Sequence, residues 1–124
     1  MQEQKIEEIL RFFIQGGITP PSLKELWSSL SLKKEEGESY LEYLINKGSI
    51  VRVSEEIFLH SEPYAKCLDI LKEHFRANKS ISLAQYRDLL GSSRKYAQAL
   101  LEHFDSCKFT RRLGDERVPW KLPV

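Results

Sequence analysis

Apolar residues recur at helical spacing through the first third of the chain and then give way to short β-type runs. Ile6, Ile9, Leu10 and Phe13 fall on one stripe and predict a first amphipathic helix. Gly16-Gly17 stops it. After an isolated Ile18, Thr19-Pro20-Pro21 predicts a helix start, with Thr19 as the cap and a proline in the first turn. Leu23, Leu26, Trp27 and Leu30 give that second helix its apolar face. A third helix is expected from about Lys34 to Asn46, with Tyr40, Leu41, Leu44 and Ile45 facing inward and Lys47-Gly48 ending it. Ser49–Val53 and Ile57–His60 are β-type runs joined through Ser54-Glu55-Glu56, which is a hairpin pattern.

The second half repeats this order. A helix bearing Leu68, Ile70, Leu71 and Phe75 is expected after Pro63, broken at Ala77-Asn78-Lys79. Ile81 stands alone, as Ile18 does. Ser82 caps a short helix with Leu83, Tyr86, Leu89 and Leu90. Gly91-Ser92-Ser93 turns the chain into a longer helix whose core face is Ala97, Leu100, Leu101 and Phe104. Cys107–Arg112 and Arg117–Lys121 flank Leu113-Gly114-Asp115-Glu116, a second hairpin turning at Gly-Asp.

Ser22-Leu23 aligns with Ser82-Leu83, and Ile50-Val51-Arg52 with Phe109-Thr110-Arg111, a repeat of about 60 residues. Three helices closed by a hairpin form the winged-helix variant of the helix-turn-helix. The expected fold is therefore mostly α with small β-hairpins (α+β), as two tandem winged-helix domains over residues 1–61 and 62–124. The join near His60–Pro63 leaves almost no linker, which favours a fairly fixed angle with room for a swivel.

A length of 124 residues suits one ordinary domain or two small ones. No apolar run approaches the roughly 20 residues of a membrane span, and the Glu-bearing N-terminus does not resemble a secretory signal. Cys67 and Cys107 form no CxxC pair and are expected as buried free thiols in a reducing cytosol. His60, His74 and His103 are scattered, and no zinc-finger or HExxH spacing occurs. Phosphate-cradling glycine loops and a GxSxG elbow are absent, so no catalytic residue and no metal site is expected. The acidic residues read as solvated helix faces.

Charge separates the two halves. Residues 1–62 hold seven Lys/Arg against eleven Asp/Glu, a net −4; residues 63–124 hold twelve against seven, a net +5. That asymmetry points to a polyanionic partner for the second half. In a helix-turn-helix the third helix presents its N-terminal residues to the ligand. Here that end reads Gly91-Ser92-Ser93-Arg94-Lys95-Tyr96. Free backbone N–H groups and the helix dipole attract phosphate there, and Arg94 and Lys95 add full charge. Gln98, one turn on, is a secondary contact. Tyr96 can stack on a base of the ligand or pack against the core, its place four residues before Leu100 favouring packing, and Trp27 and Trp120 are expected to be core or rim residues. On the hairpin, Arg111, Arg112 and Arg117 form a second basic cluster near Lys108 and Lys121, suited to phosphate. Alternation sends Arg111 and Arg112 to opposite faces. The equivalent end in the first half, Lys33-Lys34-Glu35-Glu36-Gly37-Glu38, is acidic, which argues against that half as the main binder.

The run Tyr86-Arg87-Asp88-Leu89-Leu90-Gly91-Ser92-Ser93-Arg94-Lys95-Tyr96-Ala97, with Leu100-Leu101-Glu102, resembles the C-terminal region of the bacterial selenocysteine-specific elongation factors of the SelB family. Thr110-Arg111-Arg112-Leu113-Gly114-Asp115-Glu116-Arg117-Val118 resembles the same region. The resemblance covers roughly the last 40 residues; the first half matches in architecture alone. It implies the C-terminal part of a longer cytoplasmic protein whose N-terminal part binds GTP, Mg and tRNA, with no cofactor in the present chain. It implies binding of the SECIS hairpin in messenger RNA by the last winged helix. Selenocysteyl-tRNA delivery is thereby tethered to an in-frame UGA codon, and the ribosome and the tRNA are met through the full-length protein. The matching positions are Ser92, Ser93, Arg94, Lys95, Arg111, Arg112 and Arg117. A monomer without membrane attachment is expected. The residues alone leave two other readings open: a winged-helix DNA-binding regulator, which a single basic unit disfavours, and a protein-interaction scaffold, which two basic clusters disfavour.

Overall fold

Five elements precede the charge change and six follow it in a computed structural model that describes residues 1–124. The architecture is mostly helical with two small antiparallel sheets, the α+β class expected. The chain divides into two compact units, Met1–Tyr64 and Ala65–Val124.

In the first unit α1 (Glu3–Gly16), α2 (Leu23–Ser29) and α3 (Lys34–Lys47) are followed by β1 (Ile50–Arg52) and β2 (Phe58–His60). The two strands pair antiparallel, Val51 opposite Leu59. Ile9, Phe13, Leu26, Trp27, Leu30, Tyr40, Leu41, Leu44, Ile50 and Phe58 form one core, so the periodic stripes face inward as expected. Thr19 does not cap α2. A cap at Thr19 would make Pro20 the first helical residue, but Pro20 precedes Pro21 and is driven out of the helical region. The cap is Ser22, whose Oγ accepts the Glu25 N–H at 3.2 Å, while Thr19 Oγ1 donates to the Gly16 carbonyl. Gly48 closes α3 in the left-handed conformation at φ 83°.

In the second unit α4 (Ser61–Ala77), which begins before the unit boundary, leads to β3 (Ile81–Ser82), α5 (Leu83–Leu90), α6 (Arg94–Ser106), β4 (Thr110–Leu113) and β5 (Glu116–Pro119). Ile81 is not isolated: β3 pairs with β5, giving a three-stranded antiparallel sheet in the order β3-β5-β4. Ser82 caps α5 as expected, accepting the Gln85 N–H at 3.1 Å while Gln85 Oε1 accepts the Ser82 N–H. Cys67, Leu71, Ile81, Tyr86, Ala97, Leu100, Leu101 and Phe104 are buried. Tyr86 Oη donates to the Cys67 carbonyl at 2.7 Å, which satisfies a phenol that has no access to water. Cys107, expected to be buried, is exposed. It is the C-cap of α6, where the chain leaves the helix, so the apolar stripe no longer governs its direction.

Candidate nucleic-acid interface

α5 ends at Gly91, whose φ of 63° no β-carbon favours. Ser92 N–H bonds back to the Arg87 carbonyl, and the chain re-enters helix at Arg94. This two-helix turn fixes the N-terminus of α6. Gly91, Ser93, Arg94, Lys95 and Gln98 are exposed. Ser92 is half-buried; its Oγ is enclosed and has no hydrogen-bond partner. Tyr96 is half-buried beside the buried Ala97, as a packing residue should be, and the Lys95 ammonium lies 5.6 Å from its ring centre. Gln98 Nε2 donates to Glu102 Oε1 at 3.2 Å along the outer face of the helix.

The two third helices differ at their N-termini. α3 carries Glu35 and Glu36 in its first turn, and Glu36 Oε1 accepts the Lys33 N–H. α6 has no acidic residue in its first turn, and the Ser93 side chain makes no capping bond. The first intrahelical bond runs from Ala97 N–H to the Ser93 carbonyl, so the N–H groups of Arg94, Lys95 and Tyr96 have no helical carbonyl to meet. The positive end of the dipole, three free donors and two cations thus converge where no internal anion answers them.

The sheet carries the second cluster. Arg111 pairs with Val118 and Arg112 with Arg117, so Arg111 and Arg112 occupy opposite faces, as alternation requires. Both are exposed. Arg112 Nε donates to the Gly114 carbonyl at 3.0 Å, holding its stem along the turn. Arg117 departs from the expectation that it offers charge to a ligand. It is 4 % exposed, and its Nε and Nη2 both reach Asp105 Oδ2 at 3.2 Å. Its strand is the middle one of the sheet, and its face turns inward with Ile81 and Thr110. Asp105 is the residue that sequence reasoning missed, because a lone acid on a helix reads as solvated. Trp27 is buried and Trp120 is 50 % exposed, with the Lys121 ammonium 5.4 Å from its ring centre.

Residues 73–118 match the family described as elongation factor SelB, winged helix. The chain resembles the C-terminal winged-helix region of bacterial SelB. It is 28 % identical over 105 residues to the selenocysteine-specific elongation factor of Desulfomicrobium baculatum, covering 85 % of this chain and 17 % of that protein. It is 27 % identical over 100 residues to the Escherichia coli K12 counterpart, covering 76 % and 16 %. The chain therefore spans about a sixth of the length of these SelB relatives. The mRNA-binding domain of Escherichia coli SelB, solved in complex with SECIS RNA, superposes with a TM-score of 0.80 at 21 % identity, over 96 % of this chain and 99 % of that one. A bacterial selenocysteine-specific elongation factor, EF-Sec, superposes with a TM-score of 0.77 at 26 % identity, over 96 % of this chain and 18 % of that one. The SelB likeness makes the fold winged-helix-like. No helix is long and apolar enough to cross a membrane.

Proposed function

We propose that the chain is two tandem winged-helix domains, residues 1–61 an acidic spacer and 62–124 an RNA-binding module. Together they form the C-terminal part of a cytoplasmic selenocysteine-specific elongation factor. The module grips the SECIS hairpin, and the parent protein, carrying GTP, Mg and selenocysteyl-tRNA in its N-terminal part, is thereby tethered near an in-frame UGA codon on the ribosome. The chain acts as a monomer. The observation that carries this reading is the α6 N-terminus, which has Arg94 and Lys95 in its first turn and neither a capping bond nor an acid. Gly91, Ser92, Ser93 and Tyr96 frame it, Gln98 extends it, and Arg111 and Arg112 add charge from the hairpin.

A-form duplex RNA hides its bases in a deep groove, so sequence must be read from loop or bulge bases. Arg94, at the rigid helix end, directs a base-reading contact; Arg112, at the turn, neutralises phosphate. The test is a gel-shift panel of SECIS-type hairpin RNA, loop-mutant hairpins, duplex RNA and duplex DNA at several salt concentrations. Arg94→Ala weakens cognate binding by about 1–3 kcal/mol and blurs loop discrimination. Arg112→Ala weakens all hairpins alike and flattens the salt dependence by about 0.7–0.9 in log–log slope. Equal affinity of the wild type for every nucleic acid in the panel overturns the reading; preference for duplex DNA replaces it with a regulator.

A further inference from the structure

We propose that Asp105 is a positioning residue for the RNA interface, holding the hairpin that bears Arg112 in register with α6; the inference rests on the RNA-binding reading above. Asp105 lies in the last turn of α6, where the negative end of the helix dipole disfavours a carboxylate. Its surroundings answer that cost. Oδ2 receives Arg117 Nε and Nη2, both at 3.2 Å, and Oδ1 receives Thr110 Oγ1 at 2.7 Å. One carboxylate thus joins the helix to β4 through Thr110 and to β5 through Arg117. β5 is the middle strand, so fixing Arg117 fixes the sheet on both sides of it.

The remaining connection is short. Lys108, in the left-handed conformation at φ 65°, donates its N–H to the Asp105 carbonyl at 3.0 Å, and its own carbonyl accepts the Lys121 N–H. A non-glycine residue in that region is uncommon and persists where its surroundings enforce it. Arg112 stands directly opposite Arg117, and like charges so placed repel. By consuming the Arg117 charge, Asp105 leaves Arg112 as the free cation of the pair. Its direction then follows from the sheet.

The test separates geometry from charge by sign. Removing a carboxylate makes the protein more positive, so charge alone strengthens RNA binding in Asp105→Asn, whereas loss of position weakens it. The 124-residue protein and its Asp105→Asn, Thr110→Val, Arg112→Ala and Asp105→Asn/Arg112→Ala variants are titrated with the SECIS-type hairpin across salt, with thermal melts alongside. The expected result is roughly a tenfold loss in Asp105→Asn, the scale at which neighbouring side chains couple, with an unchanged salt slope. The loss shrinks below about twofold when Arg112 is already alanine. Thr110→Val, which removes a single bond and keeps the charge, falls between wild type and Asp105→Asn, so the proposal stays testable if Asp105→Asn fails to fold. Binding by Asp105→Asn as tight as wild type or tighter, with a slope steeper by about 0.7–0.9, makes Arg117 a released phosphate ligand and overturns the proposal. A full loss that persists in the double variant overturns it too, because Asp105 would then act through general stability. Failure of the wild type to bind hairpin RNA removes the underlying reading, and the positioning role with it.

Discussion

Arg112 and Arg117 stand opposite each other on β4 and β5, one exposed at the turn and the other sealed against Asp105. The two side chains therefore have separate tasks. Arg117→Ala leaves the Asp105 carboxylate with Thr110 alone and costs about 1–3 kcal/mol of stability. That is below the value for a fully buried pair, since the Asp105 side chain is 25 % exposed. Arg112→Ala changes stability by less than about 0.5 kcal/mol. Denaturant midpoints measure both, and equal midpoints refute the division.

Ser82 and Ser93 occupy equivalent positions before α5 and α6, but only Ser82 caps. Ser82→Ala is expected to cost about 1 kcal/mol, the worth of an N-cap bond. Ser93→Ala is expected to leave stability within about 0.5 kcal/mol, since no capping bond is lost. Thermal melts of the two variants decide the matter; a larger loss in Ser93→Ala contradicts the uncapped end.

Gly37 sits on α3 against the Trp27 indole, where an added β-carbon would overlap the ring atoms. Alanine gains about 1 kcal/mol in helix propensity over glycine. Overpacking against a buried ring costs about 1–3 kcal/mol or more, so overpacking wins. Gly37→Ala should lower the unfolding midpoint and shift the Trp27 fluorescence; a raised midpoint would sink this account.

The two thiols should react in a fixed order. Burial pushes Cys67 up to about 11, and the residue is 1 % exposed, whereas Cys107, also raised by partial burial, lies at the surface where a reagent reaches it. At neutral pH a thiol reagent labels Cys107 in the folded protein and Cys67 only on unfolding. Mass spectrometry of the modified peptides reads this directly.

Burial also lowers His103 below its ordinary value of 6.5, so the unfolded chain takes up a proton more readily than the folded one. The stability this confers is complete above pH 6.5 and declines as the pH falls below it. A His103→Gln variant should show a flatter stability profile between about pH 6.5 and 5. An identical slope in both proteins would assign the effect elsewhere.

Helical periodicity and the Ser82 cap were readable because each depends on residues a few positions apart. Ser22 and Ser82, aligned as a repeat in the sequence, are both N-caps in the structure. The Gly91–Lys95 turn was readable for the same reason. β3 was not, because two residues carry no period and its partner β5 lies more than thirty positions away. Alternation placed Arg111 and Arg112 on opposite faces without saying which face looks inward. That depends on the pairing of Arg117 with Ile81 and on an acid twelve residues upstream, both tertiary facts. The tandem prolines hid the α2 cap, since they move the first permissible helical residue beyond Thr19.

The first turn of α6, without an acid or a side-chain cap, limits how freely this surface can change. An aspartate at Ser93, or a glutamate in place of Lys95, would give the helix the internal anion it lacks and stabilise the unliganded chain by about 0.3–1 kcal/mol. The same substitution would seat a negative charge where a phosphate would otherwise lie. Robustness of the free protein and attraction for a polyanion are therefore opposed at a single helical turn.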